Sequence, residues 1–287
     1  MTRILVTGAN GQLGFEIRKI AKDFPEKNFI FVDKEELPLE NTNAIDDFLN
    51  GSNPDIIISA GAYTAVDKAE SERELSEQVN YLAIKTISKW CTVKGAKLIH
   101  ISTDYVFDGN SKTPYKEVDK TSPINWYGET KLKGEQAITS NSTNAVIIRT
   151  SWLYSEHGNN FVKKMLRLIS QRSELSIVSD QIGSPTYALD LAKTIMIIVE
   201  SKDWKPGIYH YSNLGAISWY DFAIAIADIS KLKCQIKAVT SDQFQTAALR
   251  PNYSLLDKEK ISFTYALRIP KWKDSLKECL KILNQKK

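Results

Sequence analysis

Cysteine, histidine and concentrated basic charge are what this sequence has least of. Its three cysteines, Cys91, Cys234 and Cys279, are odd in number and widely spaced, with no paired motif among them. That excludes a disulfide framework and points to free thiols in a reducing compartment. The three histidines, His100, His157 and His210, match no metal-ligand spacing, so no metal is expected. Each is read as structural, with His157 near enough to Trp152 to edge a pocket. Lys and Arg number 38 against 34 Asp and Glu, and they lie scattered singly. Without a basic stripe there is no footprint for nucleic acid, and the small surplus suits a small anionic ligand. No apolar run approaches the roughly 20 residues of a membrane span. The opening Met-Thr-Arg-Ile-Leu-Val enters a strand directly, with no signal-peptide region, so a cytoplasmic protein is expected. Repeats and low-complexity linkers are missing too.

What the 287 residues do contain is enough chain for one large domain or two modest ones, at an ordinary 43% hydrophobic and 25% charged. Through the first half, short apolar runs alternate with amphipathic helices. The runs are Ile4–Val6, Phe29–Val32, Asp55–Ile58, Lys97–Ile101 and Ala145–Ile148. A long helical stretch spans about Glu72–Val93, and further helices begin near Gln12 and Trp126. This pattern predicts an α/β fold, a doubly wound parallel sheet covered on both faces, with ligands collecting at the carboxyl ends of the strands. After Arg149 the alternation loosens. Residues 1–150 are read as the main sheet domain, with a return segment near 175–200, and residues 151–287 as mainly a smaller, interleaved cap. Gly207–Tyr211, a helix at Trp219–Ile229, Gln235–Val239 and a terminal helix beyond Pro270 are assigned to that cap. Lys286 and Lys287 are read as a frayed tail.

Thr7-Gly8-Ala9-Asn10-Gly11-Gln12-Leu13-Gly14 joins the first strand to the first helix. Gly8 permits the tight turn, Gly11 lets backbone approach a pyrophosphate, and Gly14 allows close helix–sheet packing. A glycine triplet alone says little, but this one follows a strand, opens a helix and lies at the N-terminal end, as a Rossmann-type fingerprint requires. Asp33 ends the second strand, where a carboxylate can accept hydrogen bonds from a ribose; a strand-ending Asp is also an ordinary turn residue. Its charge favours NADH over NADPH, and the neighbouring Lys34 pulls the other way. The small residues of Ser59-Ala60-Gly61-Ala62-Tyr63-Thr64 let a cofactor lie close to the sheet edge, or let a helix pack there.

The chemistry is expected between Ser102 and Lys131. Hydroxyls at the end of the fourth strand, Ser102 and Thr103, are followed downstream by Tyr127 and Lys131 at one-turn spacing. Such spacing also occurs at Tyr81/Lys85, and both pairs share a helix face. Context separates them: Tyr81 lies deep inside a helix and is read as packing in the core, whereas Tyr127 stands at a helix start after a Pro-containing loop. A phenol has a pKa of about 10, and a nearby ammonium is expected to lower it. Tyr127 would then give its proton to a carbonyl oxygen as hydride reaches the carbon, with Thr103 orienting the carbonyl. Lys131 would also hold the nicotinamide ribose, and Asp104 would accept from sugar hydroxyls. Trp152 reads as either core or site rim, and Arg250 as a diphosphate partner or a surface charge. Trp204, Trp219 and Trp272 read as packing residues.

The glycine loop, the strand-end Ser/Thr and Tyr127-x-x-x-Lys131 resemble the extended short-chain dehydrogenases. Further segments resemble one family among them, the dTDP-4-dehydrorhamnose reductases. These are Ser102-Thr103-Asp104-Tyr105-Val106-Phe107-Asp108-Gly109, Thr64-Ala65-Val66-Asp67-Lys68-Ala69-Glu70 and Arg149-Thr150-Ser151-Trp152-Leu153-Tyr154. Gly158-Asn159-Asn160-Phe161, Asp180-Gln181-Ile182-Gly183-Ser184-Pro185-Thr186 and Arg250-Pro251 extend the match in order along nearly the whole chain. The resemblance implies reduction of the 4-keto group of dTDP-4-dehydro-L-rhamnose by NADPH or NADH, giving dTDP-L-rhamnose for bacterial polysaccharide. It implies Tyr127 as proton donor, Lys131 as its partner, Thr103 and Asp104 at the deoxysugar, and Trp152 against its ring. Gly11, Gln12, Leu13, Asp33, Leu39, Ala62, Tyr63, Thr64 and Ile101 fall at the family's cofactor positions, although Leu39 departs from the acidic residue more usual there. Some members form dimers around magnesium held by interface glutamates. Glu16 matches one ligand, but Leu189 stands where a second would be and cannot bind magnesium. A monomer or weak homodimer is therefore expected, with Glu16 an exposed helix residue. An epimerase or dehydratase of the same superfamily and a non-catalytic regulatory subunit are the alternatives; a binding module has no need of Thr103, Tyr127 and Lys131 together.

Overall fold

A computed structural model describes residues 1–141 and 143–285. The tail at Lys286 and Lys287 lies outside the described residues. Among them, β1 (Thr2–Thr7), β2 (Lys27–Val32), β3 (Ile56–Ser59), β4 (Lys97–Thr103), β5 (Ala145–Thr150) and β6 (Gly207–His210) build a six-stranded sheet. Its order is β6-β5-β4-β3-β1-β2, and every pairing is parallel. Gly207–His210 therefore belongs to the main sheet, not to the cap as the sequence reading had it. Its partner is β5, in register Ile208 to Ile147.

The continuous apolar runs follow from burial on both faces. Ile4, Val6, Ile58, Ile99 and Ile148 point to one side, against α1 (Gln12–Ile20) and α5 (Ala188–Glu200). The alternate residues Leu5, Ile57, Leu98 and Ile147 point to the other, against α2 (Thr42–Ser52) and α3 (Ala83–Lys94). Each such fully buried aliphatic side chain contributes about 1.5–3 kcal/mol. The helix α4 (Trp126–Ser140) lies on this second face and buries Ile138 in the same core. The long helical stretch starts as Arg73–Glu77, widens into a π turn at Gln78–Leu82 and continues as α3.

A third core holds the cap. Phe161–Gln171, Trp219–Ser230 and Trp272–Gln285 pack around Met165, Phe222 and Leu276. Of the return segment, Glu174–Val178 pairs with Gln235–Val239 in this cap, while α5 packs on the main sheet. The sheet's strand order reverses between β1 and β3: after β2 the chain crosses β1 to build outward on its other side. At that reversal the two flanking loops diverge and leave a crevice at the carboxyl ends of the strands.

Candidate active site

A cleft of about 760 Å³ occupies that crevice. Its floor is the glycine loop. Gly8 has φ +67, and a Cβ there would lie 2.6 Å from the Gly61 Cα, so the turns after β1 and β3 reach this closeness only with glycine at position 8. Gly11 opens α1 without a side-chain cap, whereas Asn41, Asn125 and Asn160 each cap their helix through a backbone N–H. The first-turn N–H groups of α1 are thus left for an anion. Gly8, Gly11, Gln12, Leu13, Asp33 and Leu39 line the cleft, as do Ala62, Tyr63, Thr64 and Ile101. Gly14 does not; it presses on the loop from below, where a Cβ would come 2.3 Å from the Gly8 carbonyl. Asp33 is aimed by its own surroundings, accepting from the Asn10 N–H at 2.7 Å and the Lys34 N–H at 2.8 Å. Uncapped amides, a glycine floor and an oriented carboxylate one strand over fit a dinucleotide's diphosphate and adenosine ribose.

Opposite lies the end of β4. Asn125 caps α4 by accepting from the Gly128 N–H at 2.8 Å. Gly128 lets this first turn press onto the turn after β4, since a Cβ there would sit 2.2 Å from the Tyr105 carbonyl. The contact brings Tyr127 into hydrogen-bond reach of Thr103, and both line the cleft with Asp104, Lys131 and Trp152. Burial pushes the Tyr127 phenol up to about 12, with a Thr103 hydrogen bond pulling the other way. The sequence reading had Lys131 lowering this pKa; the structure reverses the direction. Burial outweighs the rest, and the Lys131 ammonium spends its hydrogen bonds on the Ile101 carbonyl at 2.6 Å and His100 Nε2 at 3.3 Å. Burial lowers Lys131 itself to about 8. It also raises the carboxyl of Asp104 to about 6, against hydrogen bonds from Ser254 and Thr103.

Trp152 takes the site-rim reading, and several other side chains lie where the sequence reading did not put them. Trp152, in the left-handed region at φ +48, lines the cleft with its ring stacked on Trp219 at 3.6 Å. Trp219 lines the cleft too and is a site residue that the sequence reading missed. Arg250 does not line it; its guanidinium donates to Asp67 Oδ2 at 2.7 Å at the rim. His157 edges the glycine loop instead of a sugar pocket, its ring stacked on Phe15 at 4.2 Å and its Nε2 3.0 Å from the Asn10 carbonyl. Tyr81 is half-buried outside the core clusters, with the Lys85 ammonium 5.8 Å from its ring. Asn80, in the π turn, accepts from the Tyr63 N–H and donates to the Tyr63 carbonyl and Thr130, tying the β3 loop to α4. No spacing signal marked Asn80; a helix widened by a π turn is visible only in the fold.

The largest correction is Glu16. It is fully buried, not exposed, and accepts from the Ser155 hydroxyl at 2.7 Å. Burial and the adjacent Glu156 push its carboxyl up to about 7. Glu156 goes the other way, to about 2, drawn down against burial by Glu16 and by Lys19, whose ammonium lies 2.8 Å away. Among the described residues, no group of three or more His, Cys, Asp or Glu side chains is arranged to hold a metal ion, and no helix is long and apolar enough to cross a membrane.

Residues 1–285 match the family of the RmlD substrate binding domain. The chain belongs to that family. It is 38% identical to a dTDP-4-dehydrorhamnose reductase of Aggregatibacter actinomycetemcomitans, over 96% of this chain and 98% of that one. Among solved structures it is similar to a dTDP-4-dehydrorhamnose reductase of Clostridium acetobutylicum, with TM-score 0.94, 38% identity and coverage of 99% and 100%. A Bacillus anthracis dTDP-4-dehydrorhamnose reductase, solved in complex with NADP, gives TM-score 0.94 and 38% identity over 98% of this chain and 100% of that one.

Proposed function

We propose that this chain reduces the 4-keto group of dTDP-4-dehydro-L-rhamnose to give dTDP-L-rhamnose, with NADPH or NADH as reductant. The observation that carries this is a neutral, buried phenol, Tyr127, beside the Thr103 hydroxyl in the same cleft as an uncapped glycine loop. Gly8, Gly11, Gln12 and Leu13 would hold the diphosphate, Asp33 the adenosine ribose, and Leu39, Ala62, Tyr63, Thr64 and Ile101 the remaining walls. The bound dihydronicotinamide supplies the hydride.

Tyr127 stays protonated across neutral pH, as a donor to a carbonyl oxygen must. As charge develops on the C4 oxygen, the phenol O–H passes its proton there and the bond's electron pair stays on the phenolate. The Thr103 hydroxyl, which donates to Asp104 Oδ1 at 3.1 Å before the transfer, turns to donate to that phenolate, and Lys131 keeps a positive charge in the same cleft. Positioned acids of this kind contribute about 10²–10⁴-fold in rate. Asp104 accepts from sugar hydroxyls, and the stacked Trp152 and Trp219 offer an apolar surface to a deoxysugar. Arg250, held by Asp67 through two charge-assisted hydrogen bonds, keeps further guanidinium donors that could meet a diphosphate. A monomer or weak homodimer working in the cytoplasm suits this reading, with Glu16 buried and accepting from Ser155 of its own protomer. The test is to mix purified protein with the dTDP-4-keto sugar and follow NADPH and NADH absorbance; no oxidation of either overturns the assignment.

A further inference from the structure

Beneath α4, the second face of the sheet carries a buried polar layer where an apolar one would be expected. Leu98, at the start of β4, is part of the core on this face. The next two residues on the same side are His100 and Ser102, both buried. Ser102 donates to Glu135, which Arg149 grips through three hydrogen bonds of 2.7–3.2 Å. His100, fully buried, does something different: its Nε2 lies 3.3 Å from Lys131 Nζ and its Nδ1 3.4 Å from the Ser59 hydroxyl.

The protonation of this ring follows from its neighbours. An ammonium has three N–H donors and no lone pair, so His100 Nε2 must be the acceptor and the ring proton must sit on Nδ1, facing Ser59. Burial and the Lys131 charge both hold the imidazole well below its ordinary pKa, so it stays neutral. A second acceptor, the Ile101 carbonyl, lies 2.6 Å from the same nitrogen. Two of the three ammonium hydrogens are thereby fixed by β4, and Lys131 also lines the cleft. A lysine carries four rotatable stem bonds and no intrinsic direction; here the strand beneath supplies the direction.

We infer that His100 is a positioning residue for Lys131, its Nε2 lone pair acting with the Ile101 carbonyl to turn the remaining ammonium hydrogen into the cleft. This rests on the role given to Lys131 above, but its geometry is internal to the chain. A purely structural His100 would fill space between β3, β4 and α4, and any residue of similar volume would serve. A positioning His100 needs an acceptor at one atom.

His100→Leu, which keeps volume and removes the acceptor, is compared with His100→Gln, whose amide oxygen reaches the Nε2 position. NADPH affinity is read by fluorescence titration, independently of turnover, and kcat with the dTDP-4-keto sugar is read separately. Loss of one hydrogen bond to a charged group is worth roughly 10- to 100-fold. His100→Leu is expected to lose that much in NADPH affinity or kcat, and His100→Gln to recover most of it. Equal losses in both variants, or none in His100→Leu, overturn the inference. Should His100→Leu not fold, nitrogen-15 NMR of the wild-type histidines decides: His100 protonated on Nδ1 at neutral pH is expected, and an Nε2–H tautomer overturns it. If the wild type binds NADPH but reduces no keto sugar, the proposed substrate fails, while the titration and the tautomer still judge His100.

Discussion

Two tyrosine–lysine pairs with the same four-residue spacing stand on neighbouring helical stretches of one sheet face, and only one of them faces the cleft. Tyr81 lies in the π turn before α3 and Lys85 in α3 itself, with the Lys85 ammonium resting 5.8 Å from the Tyr81 ring at the surface. Lys131 is 2% exposed, bound to the Ile101 carbonyl and His100, and lines the same cleft as Tyr127. Spacing puts two side chains on one face of a helix and does nothing more. What separates the pairs is the strand beneath: α4 sits over the polar carboxyl end of β4, pinned there by the Asn125 cap and the close approach of Gly128 to Tyr105. The lysine that lines the cleft is the one the strand has desolvated and bound.

The harshest way to break the comparison is Tyr127→Phe. We expect kcat to fall by about 10²–10⁴-fold with NADPH binding retained, since only the donated proton is lost. Single-turnover kinetics and a fluorescence titration read the two separately. Full activity in this variant would return Tyr127 to a packing role.

Next comes the layer that carries α4. Glu135→Gln leaves the Arg149 guanidinium buried without its counter-charge; the two side chains are each 3% exposed and 2.7 Å apart. Breaking a buried pair from one side costs about 3–5 kcal/mol, so thermal or urea unfolding should show a drop of that size. A loss under 1 kcal/mol would mean that the layer is not what holds α4 down. This layer also marks where sequence reasoning runs out. The glycine loop and the end of β4 were legible because strand, turn and helix are contiguous there and each residue type has a local reason. Glu16 was not, because its burial depends on Ser155 and Glu156, well over a hundred residues downstream. Neither Trp219 nor β6 was legible as a site or sheet element: each is a short piece of late sequence whose partner, Trp152 or β5, is chosen by the cap's path. The downward shift expected for the Tyr127 phenol failed for a related reason, since a pair of residues does not reveal how dry their surroundings are.

A gentler test uses pH. Burial depresses Lys131 to about 8 from the usual 10.5. Below that value the folded protein holds the charge at a cost, and between 8 and 10.5 the unfolded chain binds the proton that the folded one has released. Stability contributed by this group therefore rises with pH across that window, while kcat/KM, which needs the ammonium, falls as pH passes about 8. Lys131→Met should remove its share of the stability rise, leaving the share of Lys258, which burial also lowers to about 8, and should abolish the fall in kcat/KM; Lys85→Met should change neither. Stability that is level in wild type from pH 8 to 10 would contradict the depressed value.

The smallest expected effect is the most demanding of the comparison. Tyr81→Phe and Lys85→Met keep helix propensity nearly unchanged; the first keeps the ring that the ammonium faces, and the cation–π contact that the second removes is worth at most about 0.5–1 kcal/mol at an exposed site. Activity, NADPH affinity and their pH dependence should match wild type, and melting should shift only slightly. A fall in kcat here has one structural route. The π turn that holds Tyr81 also holds Asn80, whose side chain ties the Tyr63 backbone to Thr130 on α4. Lost activity in Tyr81→Phe with an intact fold would therefore show that the π turn carries strain to the cleft, and that the two pairs are coupled through Asn80 instead of being one site and one decoy.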